Sequence, residues 1–184
     1  MAGRVGGVPL EQTGWQAIEC RDGKVSWWAT FRTEHEALEA VTLREEAMSQ
    51  ENVENIETVR RCLDALNRRD LDGYLACCTD DVELRTALVA LEGEHEGRDG
   101  IRRFFADVQD TAPDFQLALE RVEVVGRNKV LSFERGTASG RTSGVAVEKG
   151  IPLGTVYDFA EGKVERIRVF AEREQALEAA GLSK

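Results

Sequence analysis

The sequence predicts an α+β domain in which helices come first and an antiparallel sheet follows. Between Met48 and Pro113, apolar residues recur mostly at three- and four-residue steps, which is the spacing of amphipathic helices. From Phe115 onward, apolar and polar residues alternate in short runs separated by turns that contain glycine. Helices segregated in this way on an antiparallel sheet define the α+β class.

Two helices are predicted at the start of this region. The first is expected to begin just after Met48, with Ser49 as a possible N-cap. Its apolar stripe consists of Val53, Ile56, Val59, Leu63 and Leu66. Asp70 can cap a second, short helix through residues 71–78.

A strand and a third helix are predicted next. Residues 82–86 alternate, so that Glu83 and Arg85 lie on one face and are expected to form cross-strand or surface ion pairs. The opposite, buried face consists of Val82, Leu84 and Thr86. Residues 97–113 then have the helical period again, and Pro113 ends that helix. Its apolar side consists of Ile101, Phe104, Phe105 and Val108, and at least one of the two phenylalanines is expected to be buried against the sheet.

Four strands and a closing helix complete the predicted order. The strands cover residues 115–126, 129–140, 145–159 and 163–170. The turns between them are short, so the strands can form an antiparallel meander. Residues 172–182 carry Leu177 and Ala180 on a short helix.

Composition limits the classes of function. The 184 residues include 24 basic and 34 acidic side chains, and the net charge of −10 disfavours nucleic-acid and membrane-surface partners. No apolar run approaches the ~20 residues that span a bilayer. The first 14 residues lack the apolar core of a signal peptide, so a cytoplasmic protein is expected.

The four cysteines predict neither a metal site nor a disulfide framework. They are Cys20, Cys62, Cys77 and Cys78, without C-x-x-C spacing and with only two histidines in the chain to join them. We interpret them as reduced thiols that serve as small apolar residues. No metal or cofactor is predicted.

Three segments carry a resemblance to a known family. Residues 65–86, "ALNRRDLDGYLACCTDDVELRT", residues 93–105, "GEHEGRDGIRRFF", and residues 158–182, "DFAEGKVERIRVFAEREQALEAAGL", resemble the SnoaL-like branch of the nuclear transport factor 2-like (NTF2-like) superfamily, which includes ketosteroid isomerase and limonene epoxide hydrolase. The resemblance covers residues 48–184. It implies a cone-shaped fold, with a strongly curved antiparallel sheet wrapped around three N-terminal helices. It also implies an apolar pocket for a small hydrophobic molecule and a homodimer formed through the outer face of the sheet.

The N-terminal 47 residues resemble the end of a second such domain. Gly23–Leu43 matches Gly162–Leu182 without a gap, with nine identities in twenty-one positions. We interpret residues 1–47 as a partial duplicate of the C-terminal strand-strand-helix module, and residues 48–184 as a complete domain. The duplicate is either a remnant of duplication, fusion or an upstream start before Met48, or a functional segment that adds to a sheet edge. Its two strands are expected to pair mainly with each other.

The catalytic residues of ketosteroid isomerase are not found at the matching positions. The tyrosine of that family falls at Cys62, its general base at Leu84 or Thr86, and its oxyanion aspartate near Gly154. A thiol is a weak donor, and leucine and glycine cannot hold a proton, so this mechanism is not expected. The proton relay of the epoxide hydrolase cannot be placed either.

Two other ionisable residues are candidates for chemistry. His95 lies where SnoaL-like proteins often have an aromatic pocket residue, so it either acts as a general acid or base or simply lines the pocket. Asp158 shares strand parity with Gly154 and Val156, so it is either an inward carboxylate able to transfer a proton or a solvated acid near a turn.

Three functional hypotheses follow. The first is a small-molecule pocket protein without catalysis, because apolar candidates for the lining outnumber acids. Those candidates are Leu66, Leu84, Phe104 and Val156. The second is a cofactor-independent isomerase, cyclase or hydrolase that uses His95 or Asp158. The third is a dimerisation module with a closed pocket, which the volume of the pocket should distinguish from the other two.

Overall fold

The computed structural model describes residues 2–5, 8–11, 14–21, 24–87, 93–138 and 150–182. By compactness the chain divides into two units, Met1–Gln50 and Glu51–Lys184, which are considered separately below.

The first unit contains two hairpins and the start of a helix. β1 (Ala2–Val5) pairs with β2 (Val8–Glu11), and β3 (Trp15–Arg21) pairs with β4 (Lys24–Phe31), both antiparallel. Among the described strands, β3 and β4 form a two-stranded sheet by themselves, as predicted.

Helix α1 (Glu34–Arg68) is longer than predicted. It begins with a capping box, in which Thr33 Oγ1 accepts from the Glu36 N–H at 3.2 Å and the Glu36 carboxylate accepts from the Thr33 N–H at 3.1 Å. The predicted start just after Met48 is wrong, and Ser49 lies inside the helix instead of capping it. The reason is that no glycine or proline interrupts the chain between Glu34 and Arg68, and most residues there favour helix.

The second unit contains a six-stranded curved sheet with the order β6-β5-β10-β9-β8-β7. Its strands are β5 (Cys78–Thr86), β6 (Gly93–Glu96), β7 (Gln116–Val124), β8 (Lys129–Thr137), β9 (Ile151–Ala160) and β10 (Lys163–Phe170). Neighbouring strands are antiparallel except β10 and β5, which are parallel. The predicted meander from β7 to β10 is confirmed, and β6 is an additional strand. Residues 145–149, the start of the third predicted strand, lie outside the described residues.

Three further helices accompany this sheet: α2 (Leu71–Ala76), α3 (Gly97–Thr111) and α4 (Arg173–Ala180). Asp70 caps α2 as predicted, because its Oδ1 accepts from the Gly73 N–H at 2.8 Å. On α3, Phe104 and Phe105 are only 6% and 7% exposed, which confirms that this face is buried.

The main core lies on the inner face of the sheet. It joins the C-terminal half of α1 to α2, α3 and the inward side chains of the strands, including Val59, Ile101, Val130 and Ile167. A smaller core lies on the outer face, where Ala176 and Ala180 of α4 pack against Leu131, Phe133 and Val156. The central strands β8 and β9 are therefore buried on both faces.

The β3–β4 and β9–β10 hairpins have matching registers. Trp15 pairs with Phe31 as Gly154 pairs with Phe170. Phe31 and Phe170 are aligned in the match between Gly23–Leu43 and Gly162–Leu182. Each hairpin also has one unpaired residue in its second strand, Ser26 in β4 and the aligned Glu165 in β10. The backbone irregularity thus recurs at aligned positions of the two matched segments.

Candidate functional site

A cavity of about 40 Å³ lies inside the main core of the second unit. Helix α1 contributes Cys62, Leu63 and Leu66 to its wall, and α2 and α3 contribute Tyr74 and Phe104. The strands contribute Leu84, Thr86, Leu117, Leu153, Thr155, Tyr157, Ile167 and Val169, and Phe115 precedes β7. Most of these groups are apolar, so the cavity is suited to an apolar occupant.

Five of the predicted pocket residues line this cavity. They are Cys62, Leu66, Leu84, Thr86 and Phe104. The four-residue step from Cys62 to Leu66 places both on one side of α1, and Leu84 and Thr86 share a face of β5. Contact between these residues and a ligand stays a prediction.

Gly154, Val156 and Asp158 do not line this cavity. Val156 packs against α4 on the outer face, and the inward residues of β9 are Leu153, Thr155 and Tyr157. The expected orientation is therefore reversed. The physical reason is that both faces of β9 are buried, so apolar alternation does not reveal which face points inward.

Asp158 is held in an ion-pair cluster. Its Oδ2 accepts from Arg168 Nη2 at 2.9 Å, and Lys129 Nζ lies 3.9 Å from its Oδ1. On the same side of the sheet, Arg166 Nε donates to Glu83 Oε2 at 2.8 Å. The expected cross-strand pairs of Glu83 and Arg85 are confirmed, since Arg85 Nε lies 3.3 Å from Glu94 Oε1.

His95 lies on β6, opposite Leu84 of β5. Its ring makes an edge contact with Phe104 at a centroid distance of 5.5 Å, and it is half-buried beside the cavity but not part of its wall. Strands β5 and β10 separate β6 from β9 in the sheet. The structure therefore does not bring His95 and Asp158 together.

Sequence reasoning missed a buried acid, Glu134 of β8. Its side chain is 0% exposed and points to the inner face, opposite Leu153 of β9. Ser132 Oγ donates to its Oε1, and Thr155 Oγ1 donates to its Oε2 at 3.0 Å. An acid next to Phe133 in an alternating strand is normally assigned to the solvent-facing side. The one feature that could have indicated burial is that its strand lies between two others in the predicted sheet.

Burial controls the ionisation of this site. It raises the pKa of Glu134 to about 7, against hydrogen bonds from Ser132 and Thr155 that lower it. Burial also raises the pKa of Tyr157 and Tyr74 well above the ordinary value. The tyrosines that line the cavity are therefore neutral phenols.

The described residues contain neither a group of metal ligands nor a membrane-spanning helix. No group of three or more histidine, cysteine, aspartate or glutamate side chains is arranged there to hold a metal ion. In the same part of the chain, no helix has the length and apolar character needed to cross a membrane.

The curved sheet and its inner helices define a protein with the NTF2-like cone fold. The family model of the SnoaL-like domain matches residues 59–167, more than half of the chain. The chain therefore belongs to the SnoaL-like domain family. A search of curated protein sequences found no significant match.

Solved structures share this fold. An uncharacterised cystatin-fold protein from Novosphingobium aromaticivorans is 26% identical, with a TM-score of 0.53, over 63% of this chain and 97% of that chain. An NTF2-like protein of unknown function from Burkholderia pseudomallei is 23% identical, with a TM-score of 0.54, over 68% and 95%. A protein with a ketosteroid isomerase-like fold from Catenulispora acidiphila, in complex with trimethylamine, is 12% identical, with a TM-score of 0.56, over 69% and 94%. The last two identities are low and show likeness of fold alone.

Proposed function

We propose that the second unit binds a small hydrophobic molecule in its inner cavity and lacks the catalytic residues of ketosteroid isomerase. The observation that carries the proposal is a small internal cavity with mostly apolar walls, and the family resemblance implies an apolar pocket. Cys62, Leu84 and Thr86 line it, and the family resemblance aligns these positions with the tyrosine and the general base of that enzyme. None of these side chains is suited to abstract a proton from carbon at neutral pH.

The size of the cavity requires it to expand around a ligand. Its volume is about 40 Å³, whereas ordinary ligand sites measure ~300 Å³ or more. Leu117 and Val169 are half-buried, and both line the cavity. Side chains of this kind can rotate outward at lower cost than fully buried ones, so they are the expected point of entry.

A second candidate function is a structural module with a closed cone. The same volume of about 40 Å³ favours it, because it leaves no room for an ordinary ligand without movement. By contrast, no geometry favours proton transfer by His95 or Asp158. Neither lines the cavity, and Asp158 is paired with Arg168.

Titration with benzene tests binding against the closed module, because benzene is small and enters apolar cavities. The full-length chain would be titrated while methyl resonances of the lining residues are followed by NMR. Leu117→Trp should block the cavity and abolish the shifts. Leu119→Trp is the matched control, since Leu119 is half-buried on the same face of β7 but does not line the cavity.

Saturable shifts in the wild type and the control, with loss in Leu117→Trp, would support a binding cavity. Absence of shifts in the wild type would instead favour the closed module. Equal shifts in all three proteins would mean that benzene binds elsewhere.

A further inference from the structure

The inner face of β8 and β9 carries a compact group of polar side chains inside an otherwise apolar core. Ser132 and Thr155 are directly opposite each other in the pairing of the two strands, and Glu134 lies two residues beyond Ser132. All three are buried, at 0%, 4% and 0% exposure respectively. A polar group this deep in a core is costly unless it is satisfied or has a function.

Thr155 connects this group to the cavity. It lines the cavity, while its hydroxyl is hydrogen-bonded to Glu134 at 3.0 Å. Glu134 itself is not part of the wall. A molecule in the cavity would therefore meet Thr155 first, with the carboxyl directly behind it.

We propose that Thr155 is a polar contact for a molecule in the cavity, that Glu134 positions its hydroxyl, and that the occupant is a neutral apolar alcohol or ketone. The proposal rests on the proposed function, because it names the class of molecule bound by the same cavity. Glu134 is a positioning residue in this account, since it acts on the occupant only through Thr155.

The direction of the Thr155 hydrogen bond depends on the proton of Glu134. A carboxylate only accepts, so it takes the Thr155 proton, and a lone pair of the Thr155 oxygen can then accept from an alcohol. A protonated carboxyl has one O–H, which can donate to Thr155. The Thr155 proton is then free for a ketone oxygen. Ser132 occupies the other carboxyl oxygen, Oε1.

Charged and ionisable neighbours set the pH at which this change occurs. Burial raises the pKa of Glu134 to about 7, and Arg173 of α4 opposes that rise. Arg173 is itself paired with Glu120 of β7, which limits its effect. Tyr157 of β9 faces the same cluster and stays neutral, because burial and then Glu134 raise its pKa, against hydrogen bonds from Ser132 and Thr155 that lower it.

The experiment compares cyclopentanol and cyclopentanone as probes of the full-length chain. Their Kd values would be measured by NMR titration at about pH 5.5 and about pH 8.5, on either side of the Glu134 transition. In the wild type, the preference for the alcohol over the ketone should rise about tenfold with pH. Glu134→Gln should remove this pH dependence. The matched control Glu165→Gln, an exposed residue of β10, should retain it.

Cyclopentane, which has no polar group, separates failure of this proposal from failure of the proposed function. One outcome would overturn the Thr155–Glu134 proposal alone. In it, the wild type binds cyclopentane, but its preference between cyclopentanol and cyclopentanone does not change with pH. Absence of binding by all three probes would overturn both. If Glu134→Gln does not fold, Thr155→Val decides: the proposal requires it to bind cyclopentane and lose the pH-dependent preference, and a retained preference overturns it.

Discussion

At the scale of single residues, the burial of Glu134 links the stability of the fold to pH. Its pKa is raised from 4.5 to about 7, so the folded chain binds the proton more tightly than the unfolded chain. This tighter proton binding stabilises the folded state. Its contribution to the free energy of unfolding is complete below pH 4.5 and is lost as the pH rises to about 7. At ~1.4 kcal/mol per pKa unit, the loss is about 3 kcal/mol.

Glu134→Gln removes the titrating carboxyl. The free energy of unfolding of this variant should therefore not show the decrease that the wild type shows as the pH rises. Urea denaturation of both proteins at several pH values measures the difference. The wild type should lose about 3 kcal/mol relative to the variant between the two ends of that range. Parallel stability curves for the two proteins would show that the carboxyl is not buried in the folded state.

Residue identity predicted some of these environments and not others. The alternation of Val82, Leu84 and Thr86 gave the correct inward face of β5, because the other face of that strand carries charges. Glu134 was missed because its neighbours Phe133 and Leu131 are buried too, on the opposite face. Alternation of apolar and polar residues identifies the inward face of a strand only where the other face is exposed to solvent.

At the scale of elements, helix α3 is fixed by its aromatic side chains. Phe105 is buried and makes an edge contact with Tyr74 of α2 at a centroid distance of 5.2 Å. Phe105→Ala should reduce the free energy of unfolding by about 3–5 kcal/mol, because it leaves a cavity. Asp107→Ala on the exposed side of the same helix is the control. A loss below ~1 kcal/mol for Phe105→Ala would contradict this placement of α3.

The contact between α4 and β9 depends on a glycine. A Cβ added at Gly154 would overlap the Cβ of Ala176, closer than real carbon atoms approach. Gly154→Ala should therefore destabilise the fold by about 1–3 kcal/mol through overpacking. Ala176→Gly should restore part of this loss in the double variant, measured by chemical denaturation. If the losses of stability from Gly154→Ala and Ala176→Gly simply add in the double variant, the two residues are not in contact.

Element order was largely predictable from the sequence, and element boundaries were not. The meander from β7 to β10 follows from the tendency of consecutive strands to pair as neighbours, and two of its three links, residues 125–128 and 161–162, are short turns. The start of α1 was placed just after Met48 instead of at Glu34, because a boundary between repeated segments was taken for a boundary between helices. Strand β6 is only four residues long and carries too short a pattern to be predicted.

At the scale of the whole molecule, we propose that residues 1–47 are a partial duplicate that the second unit does not need for folding. Both described core clusters contain only residues from Val59 onward. Deletion of residues 1–47 should leave a soluble chain with a cooperative unfolding transition. It should also remove almost all tryptophan fluorescence, because the three tryptophans are Trp15, Trp27 and Trp28.

Circular dichroism during urea denaturation measures that transition in the full-length and shortened chains. Aggregation of the shortened chain, or a loss of several kcal/mol, would contradict the proposal and favour the functional alternative, in which the N-terminal strands complete a sheet edge. The homodimer implied by the family resemblance stays a prediction, and sedimentation of both chains would test it.

The central claim is that the cone binds a small hydrophobic molecule, and native mass spectrometry of the chain purified from its own host tests it most directly. We expect the mass of the polypeptide plus one small molecule per chain. Denaturation in organic solvent should release that molecule, and Leu117→Trp should lack it. Polypeptide mass alone for the wild type, together with no benzene shifts, would contradict the claim and leave a closed structural module.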